Sequence, residues 1–149
     1  MPQRAGLEAL RLAVHQPEQV ASRLERFLFL DPLQRAAFDA LVAVDDLHVA
    51  IEHAEQAGPE VAALLRRIAV EEPAADADDV VVQMIRVAAR HALGQLRAEA
   101  TVAPERFAAL AAESKTVRDD LQAIEDDRAD PAAADRLVAW LGSRGEEDA

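Results

Sequence analysis

Residues 80–96 have the sequence VVVQMIRVAARHALGQL, and this stretch decides the fold class. Its apolar residues recur at helical spacing and extend around much of the helix circumference. A helix that is apolar on most of its faces belongs in the middle of a bundle, where other helices cover it. The consecutive valines at its start favour a strand locally, but they do not outweigh the longer helical pattern. The stretch therefore predicts a central helix in an all-α protein.

The sequence before this stretch predicts several amphipathic helices separated by capping signals. Asp31-Pro32 and Gly58-Pro59 are typical helix starts, because the N–H that proline lacks would be unpaired there anyway. Asp45 or Asp46 is expected to cap a short helix between these two starts. The acidic segment 71–79 predicts a loop that leads into the central helix. We expect a helical bundle over residues 1–101.

The sequence after the central helix predicts a helical hairpin. The composition changes at residues 101–104, and two apolar helical stripes follow, separated by a turn that ends in Asp130-Pro131. Two helices joined by a short turn form an αα-hairpin. We assign residues 102–149 to a hairpin subdomain with a frayed acidic tail. The predicted fold is thus all-α, a multi-helix bundle followed by a C-terminal αα-hairpin.

The composition of the whole chain excludes several classes of protein. The 149 residues include 28 Asp and Glu but 16 Lys and Arg, and the resulting net charge of −12 disfavours binding to nucleic acid phosphates. No cysteine is present, which excludes disulfides, thiolate zinc sites and iron–sulfur clusters. The sequence contains no apolar run that could span a membrane, and Glu8 and Arg11 interrupt the apolar core that a signal peptide would need near residue 1. We expect a cytoplasmic protein that binds neither membranes nor nucleic acid directly.

The side chains with catalytic potential do not form a recognisable constellation. The strongest metal-binding trio is Asp45, His48 and Glu52, which share one helix face at positions i, i+3 and i+7. Such trios are common in highly charged helices, so a metal-dependent helical enzyme is only an alternative. His15 and His91 are expected to have structural roles. We predict no catalytic residue, no metal ligand and no cofactor.

The predicted hairpin carries the candidate partner-binding face. Trp140, the single tryptophan of the chain, either fixes its helix to the other helix of the hairpin or anchors a partner protein. The two roles are compatible. A two-helix hairpin has little core of its own, so a partner protein is the natural destination for its surplus apolar side chains. The candidate contact residues, taken from helix periodicity, are Leu121, Ile124, Leu137, Trp140 and Leu141.

Four motifs follow one another in a recognisable order within residues 7–100. Residues 8–18, EALRLAVHQPE, form a leucine-rich helix that ends in His-Gln-Pro-Glu, and residues 31–38, DPLQRAAF, place a polar pair before an aromatic. Residues 60–72, EVAALLRRIAVEE, combine paired leucines with a following acidic pair, and residues 78–81, DDVV, begin the long helix. This order resembles the C-terminal domain of bacterial DNA primases of the DnaG type.

The resemblance implies a helical bundle whose hairpin docks onto the N-terminal domains of the hexameric replicative helicase. The expected function is therefore a non-catalytic protein-interaction domain in DNA replication, monomeric when isolated. The zinc-binding and polymerase domains of a complete primase are not in this sequence, so this chain by itself is not expected to be an enzyme. Two alternatives stay open: a free-standing helical adaptor or homo-oligomerising regulatory protein, and the N-terminal domain of the helicase itself, which has a similar fold.

Overall fold

The computed structural model describes residues 2–126 and 130–148 of the chain. Within these ranges the regular secondary structure is helical and includes no β-strand, so the prediction of an all-α protein is confirmed. The α-helices are α1 (Pro2–His15), α2 (Pro17–Val20), α3 (Pro32–Ala43), α4 (Leu47–Ala57), α5 (Pro59–Val70), α6 (Ala77–Val102), α7 (Phe107–Asp126) and α8 (Pro131–Asp148). Short 3-10 helices precede α3 and α7, at Arg26–Leu28 and Pro104–Arg106. No described helix combines the length and the apolarity that crossing a membrane requires.

Aspartate side chains cap the starts of α3 and α4. The Asp31 carboxylate accepts a hydrogen bond from the backbone N–H of Gln34 at 3.0 Å. Asp46, and not its neighbour Asp45, caps α4 by accepting from the backbone N–H of His48 at 2.8 Å. Because the first N–H groups of a helix have no partner inside it, these side-chain oxygens determine where each helix begins.

The chain divides into two compact units, of which unit 1 is Met1–Met84. In unit 1, α1 packs against α2, α3 and α5, while α4 packs against α3 and α5. The apolar faces of these helices meet in a core whose largest fully buried side chains are Leu10, Leu12, Val20, Phe29, Leu65 and Ile68. The amphipathic stripes expected from the sequence therefore form a bundle.

A network of charged side chains fastens the loop after α5 to α1. Buried Glu8 accepts a hydrogen bond from the backbone N–H of Ala74 at 2.9 Å and pairs with Arg11. Arg11 also donates to Glu71, at 3.2 Å. Desolvation acts to raise the pKa of Glu71, but the hydrogen bonds and charges of Arg11 and Arg67 outweigh it and hold that pKa below its ordinary value of 4.5. The acidic loop is thus held by specific contacts and is not simply solvated.

Unit 2, Ile85–Ala149, contains the rest of α6 together with α7 and α8. α7 packs against α8, as expected for the αα-hairpin. The division between the units falls inside α6, whereas the sequence predicts a boundary between residues 101 and 102. A division by packing does not show where an independently folding domain ends, so that boundary stays a prediction. α8 continues through the acidic tail as far as Asp148, and the fraying expected for this tail stays a prediction.

Candidate protein-interaction surface

The second helix of the hairpin, α8, begins after an aspartate whose side chain caps it. Asp130 Oδ1 accepts hydrogen bonds from the backbone N–H groups of Ala132 at 3.1 Å and Ala133 at 3.2 Å. Pro131 occupies the first position of α8, so the Asp-Pro signal in the sequence marks a real helix start. The cap satisfies two of the backbone N–H groups that have no partner inside the first turn of α8.

The hairpin has an apolar interior made by one stripe from each helix. Along α7 the buried side chains follow one another at spacings of seven, four and three residues, which keeps them on one face of the helix. Along α8 every fourth side chain is buried, which also defines one face. These residues are Leu110, Val117, Leu121 and Ile124 in α7 and Ala133, Leu137 and Leu141 in α8. Their burial inside unit 2 stabilises the hairpin by removing apolar surface from water.

Four of the five predicted contact residues belong to this interior. Leu121, Ile124, Leu137 and Leu141 are between 1% and 7% exposed. These four side chains are therefore not accessible to a partner in this structure. Trp140 differs from them because it is half-buried and keeps part of its ring accessible. A role of the five residues in partner binding stays a prediction, and the structure gives the four aliphatic ones a packing role.

The ring of Trp140 is held in place by two neighbours. Its Nε1–H donates a hydrogen bond to Glu113 Oε1 on α7 at 2.8 Å. The Arg144 guanidinium lies 5.4 Å from the centre of the ring, a cation–π distance. Arg144 is itself fixed by donating to Glu99 Oε1 at 3.2 Å. Trp140 therefore fastens α8 to α7, and it presents its exposed part in one orientation.

Charged pairs fasten the helices of unit 2 beside its apolar interior. Arg136 donates to Asp120 Oδ1 through Nε at 3.0 Å and through Nη2 at 2.8 Å. The hydrogen bond and the charge of Asp120 raise the pKa of Arg136, so this guanidinium stays charged. Glu125, also on α7, pairs with both Arg86 and Arg90 of α6. These pairs favour one arrangement of the three helices.

Two large apolar side chains near the start of α7 are exposed, and sequence reasoning missed them. Val102 is 82% exposed and Phe107 is 62% exposed. Phe107 lies three residues before buried Leu110, so helix periodicity predicts it on the buried stripe. Phe107 is the first residue of α7 and directly follows the 3-10 helix. Its exposure shows that the apolar stripe of α7 is open to solvent at this end of the helix. The proline at position 104 is the only sequence signal that an element begins there.

The polar residues that suggested other functions are not assembled into a site. The His48 ring lies 3.3 Å from Glu52, but no group of three His, Asp or Glu side chains in the described ranges could hold a metal ion. His15 Nε2 donates to the Ile68 carbonyl oxygen at 3.1 Å, which confirms its structural role. His91 is exposed and makes no hydrogen bond with a described residue, so the structural role expected for it is wrong.

No protein-family model, no curated protein and no solved structure matches this chain. The resemblance to the primase C-terminal domain therefore rests on its sequence motifs alone.

Proposed function

We propose that this chain is a non-catalytic protein-interaction domain that docks through its C-terminal hairpin onto the N-terminal domains of a replicative DNA helicase. The observation that carries the proposal is the half-buried ring of Trp140, which Glu113 and Arg144 hold in one orientation. A ring that is already ordered loses little conformational entropy when a partner covers it. Tryptophan is also among the residues that contribute most to binding energy at protein interfaces.

The exposed apolar residues at the start of α7 enlarge the surface available to a partner. They lie at the same end of unit 2 as Trp140, because Glu99 pairs with Arg106 at 3.9 Å as well as with Arg144. Arg106 directly precedes the exposed Phe107. An aromatic anchor with neighbouring apolar residues is a common arrangement at the centre of a protein interface.

The order of motifs in residues 8–81 supports the choice of helicase as the partner, since it resembles that of the helicase-binding domain of primase. In this proposal the chain is cytoplasmic and stays monomeric until the helicase binds it. Contact with DNA and RNA belongs to other proteins, which is compatible with a net charge of −12.

The proposal is tested by isothermal titration calorimetry, which measures the affinity of the purified chain for the helicase N-terminal domain from the same genome. Trp140→Ala removes the ring and is expected to weaken binding about 30-fold, the effect of a hot-spot residue. Trp140→Phe keeps an aromatic ring but loses the hydrogen bond to Glu113, so a smaller loss is expected. Val70→Ala changes an exposed valine of unit 1 and serves as the control with wild-type affinity.

Circular dichroism of each variant establishes that the helices remain folded. A folded wild-type chain that does not bind the helicase contradicts the choice of partner. A folded Trp140→Ala variant that binds as tightly as the wild type contradicts the choice of anchor.

A further inference from the structure

A groove with a volume of about 370 Å³ crosses unit 1 where the first four helices meet. Its walls include Val14 at the end of α1, Val20 of α2, Leu41 and Val42 of α3, and Leu47 of α4. The volume lies within the range of about 300–1,000 Å³ that is typical of ligand-binding clefts. The groove is thus large enough to receive several side chains of a binding partner.

The apolar walls of the groove are incompletely covered by the protein itself. Val42 is 66% exposed, and Val14, Leu41 and Leu47 are half-buried. The floor is fixed, because the buried Phe38 ring stacks on Phe29 with 4.8 Å between ring centres. Accessible apolar surface in a preformed concave site favours the burial of apolar groups from a partner.

The rim of the groove is negatively charged. Among the described residues that line the groove, Asp45 and Asp46 are acidic and none is basic. The Asp46 carboxylate already accepts backbone hydrogen bonds as the N-cap of α4. Asp45 is exposed and makes no hydrogen bond or ion pair with any described residue. This carboxylate is therefore available to a cationic group.

The end of α3 adds to this negative potential. α3 ends at Ala43, directly before the rim aspartates, and it has no basic residue in its last turn. The last carbonyl groups of a helix lack partners inside the helix and carry a partial negative charge. Val44, which follows α3 and also lines the groove, is extended and provides no side-chain cap. The rim thus lacks the positive charge that would balance it.

We propose that this groove binds an amphipathic peptide segment of a partner protein, in which bulky apolar side chains are flanked by Lys or Arg. The apolar side chains would enter between α2, α3 and α4, and the basic side chains would approach Asp45 and the carbonyl end of α3. Amphipathic helices bind apolar grooves in this way, and complementary charge sets their orientation. The groove lies in unit 1, so the proposal does not depend on helicase binding by the hairpin.

The binding test uses fluorescein-labelled peptides and fluorescence anisotropy with the full chain. The probe is a peptide of Leu, Lys and Arg with leucines at helical spacing. One control peptide has the same composition in scrambled order, and a second has Glu in place of Lys and Arg. We expect the probe to bind about ten-fold more tightly than either control, because only the probe combines an apolar stripe with complementary charge.

Two variants locate the binding in the groove. Val42→Lys places a cation at the groove wall and is expected to weaken probe binding at least about ten-fold, since like charges repel across an interface. Asp45→Asn removes the unpaired carboxylate and is expected to weaken it about three-fold, the size of an exposed ion pair. The matched controls are Val70→Lys and Glu72→Gln, which make the same kinds of change at exposed positions outside the groove.

The proposal is overturned if the scrambled peptide binds as tightly as the probe, because binding then reflects net charge alone. It is also overturned if Val70→Lys weakens probe binding as much as Val42→Lys does. Sedimentation of wild-type protein and Val42→Lys tests the other occupant, a second copy of the chain. Self-association that Val42→Lys abolishes would assign the groove to that copy and overturn the peptide proposal.

Discussion

Gly6 lies where α1 packs on α3, opposite the side chain of Gln34. A Cβ atom at position 6 would overlap Gln34 Oε1 and lie 2.8 Å from Gln34 Cδ. Gln34 is only 5% exposed, so its amide has little space into which it could move. A side chain at position 6 would therefore force the buried Gln34 side chain to shift at this point of contact between the two helices.

Gly6→Ala is expected to lower the free energy of unfolding by about 1–3 kcal/mol, the usual cost of overpacking. The matched control is Gly94→Ala in α6, where an added Cβ has no neighbour within 4 Å. That variant is expected to raise the free energy of unfolding by about 0.5–1 kcal/mol, because alanine is the better helix former. Urea denaturation measures both. Equal stability of the two variants would mean that α1 and α3 are not in close contact at Gly6.

Glu71 makes the stability of the protein depend on pH in the acid range. Its pKa is lowered in the folded state, so in that range the unfolded chain binds a proton more readily than the folded one. The contribution of Glu71 to stability is fully present above its ordinary pKa of 4.5 and is lost as the pH falls through the lower pKa of the folded state. Arg11 and Arg67 provide this contribution.

Glu71→Gln is expected to be less stable than the wild type at neutral pH. The difference should shrink as the pH falls below 4.5, since the wild-type carboxylate then becomes protonated and loses its ion pairs. Urea midpoints measured between about pH 7 and about pH 3 check this expectation. Glu72→Gln is the control, because Glu72 is exposed and pairs with no described residue. A difference that is independent of pH would contradict the role given to the ion pairs.

At the scale of secondary structure, the same Asp-Pro pair begins one helix in each unit. Asp31 caps α3 through the backbone N–H of Gln34, and Asp130 caps α8 through the N–H groups of Ala132 and Ala133. The cap and the proline act locally, on the first turn of the helix that they begin. This is why both helix starts could be predicted from the sequence.

Removal of each cap is expected to destabilise only the helix that it begins. Asp31→Ala and Asp130→Ala should each cost about 0.5–2 kcal/mol, the usual value of an N-cap. Hydrogen exchange followed by mass spectrometry should show faster exchange in the first turn of α3 for Asp31→Ala and in that of α8 for Asp130→Ala. Each variant is the control for the other. Faster exchange of both helices in both variants would show that the caps do not act locally.

The partners of an element are harder to predict than its ends. Helix periodicity placed Leu121 and Leu137 on one apolar stripe each, but it could not distinguish a stripe that faces another helix from one that faces a partner protein. The structure buries both side chains. The hydrogen bond of Trp140 goes to Glu113, 27 residues away, and no local pattern indicates that pairing.

At the scale of the whole molecule, packing divides the chain inside α6, between Met84 and Ile85. The sequence has no proline, glycine or capping residue at this point, because the helix continues through it. The change of composition at residues 101–104 marks the end of α6 and not the end of a packing unit. Helix ends leave local signals in a sequence, whereas the division between packed units depends on contacts between distant residues.

Sequence patterns were enough to predict the all-α class, the helical hairpin and the helix starts at Asp31 and Asp130, because these depend on spacing and capping within a few residues. Which apolar side chains stay accessible could be read only from the packed helices. Their packing buries Leu121, Ile124, Leu137 and Leu141, leaves Phe107 exposed and assembles a groove from four helices. Exposure is a property of contacts between distant parts of the chain, and periodicity shows only that a helix has an apolar face.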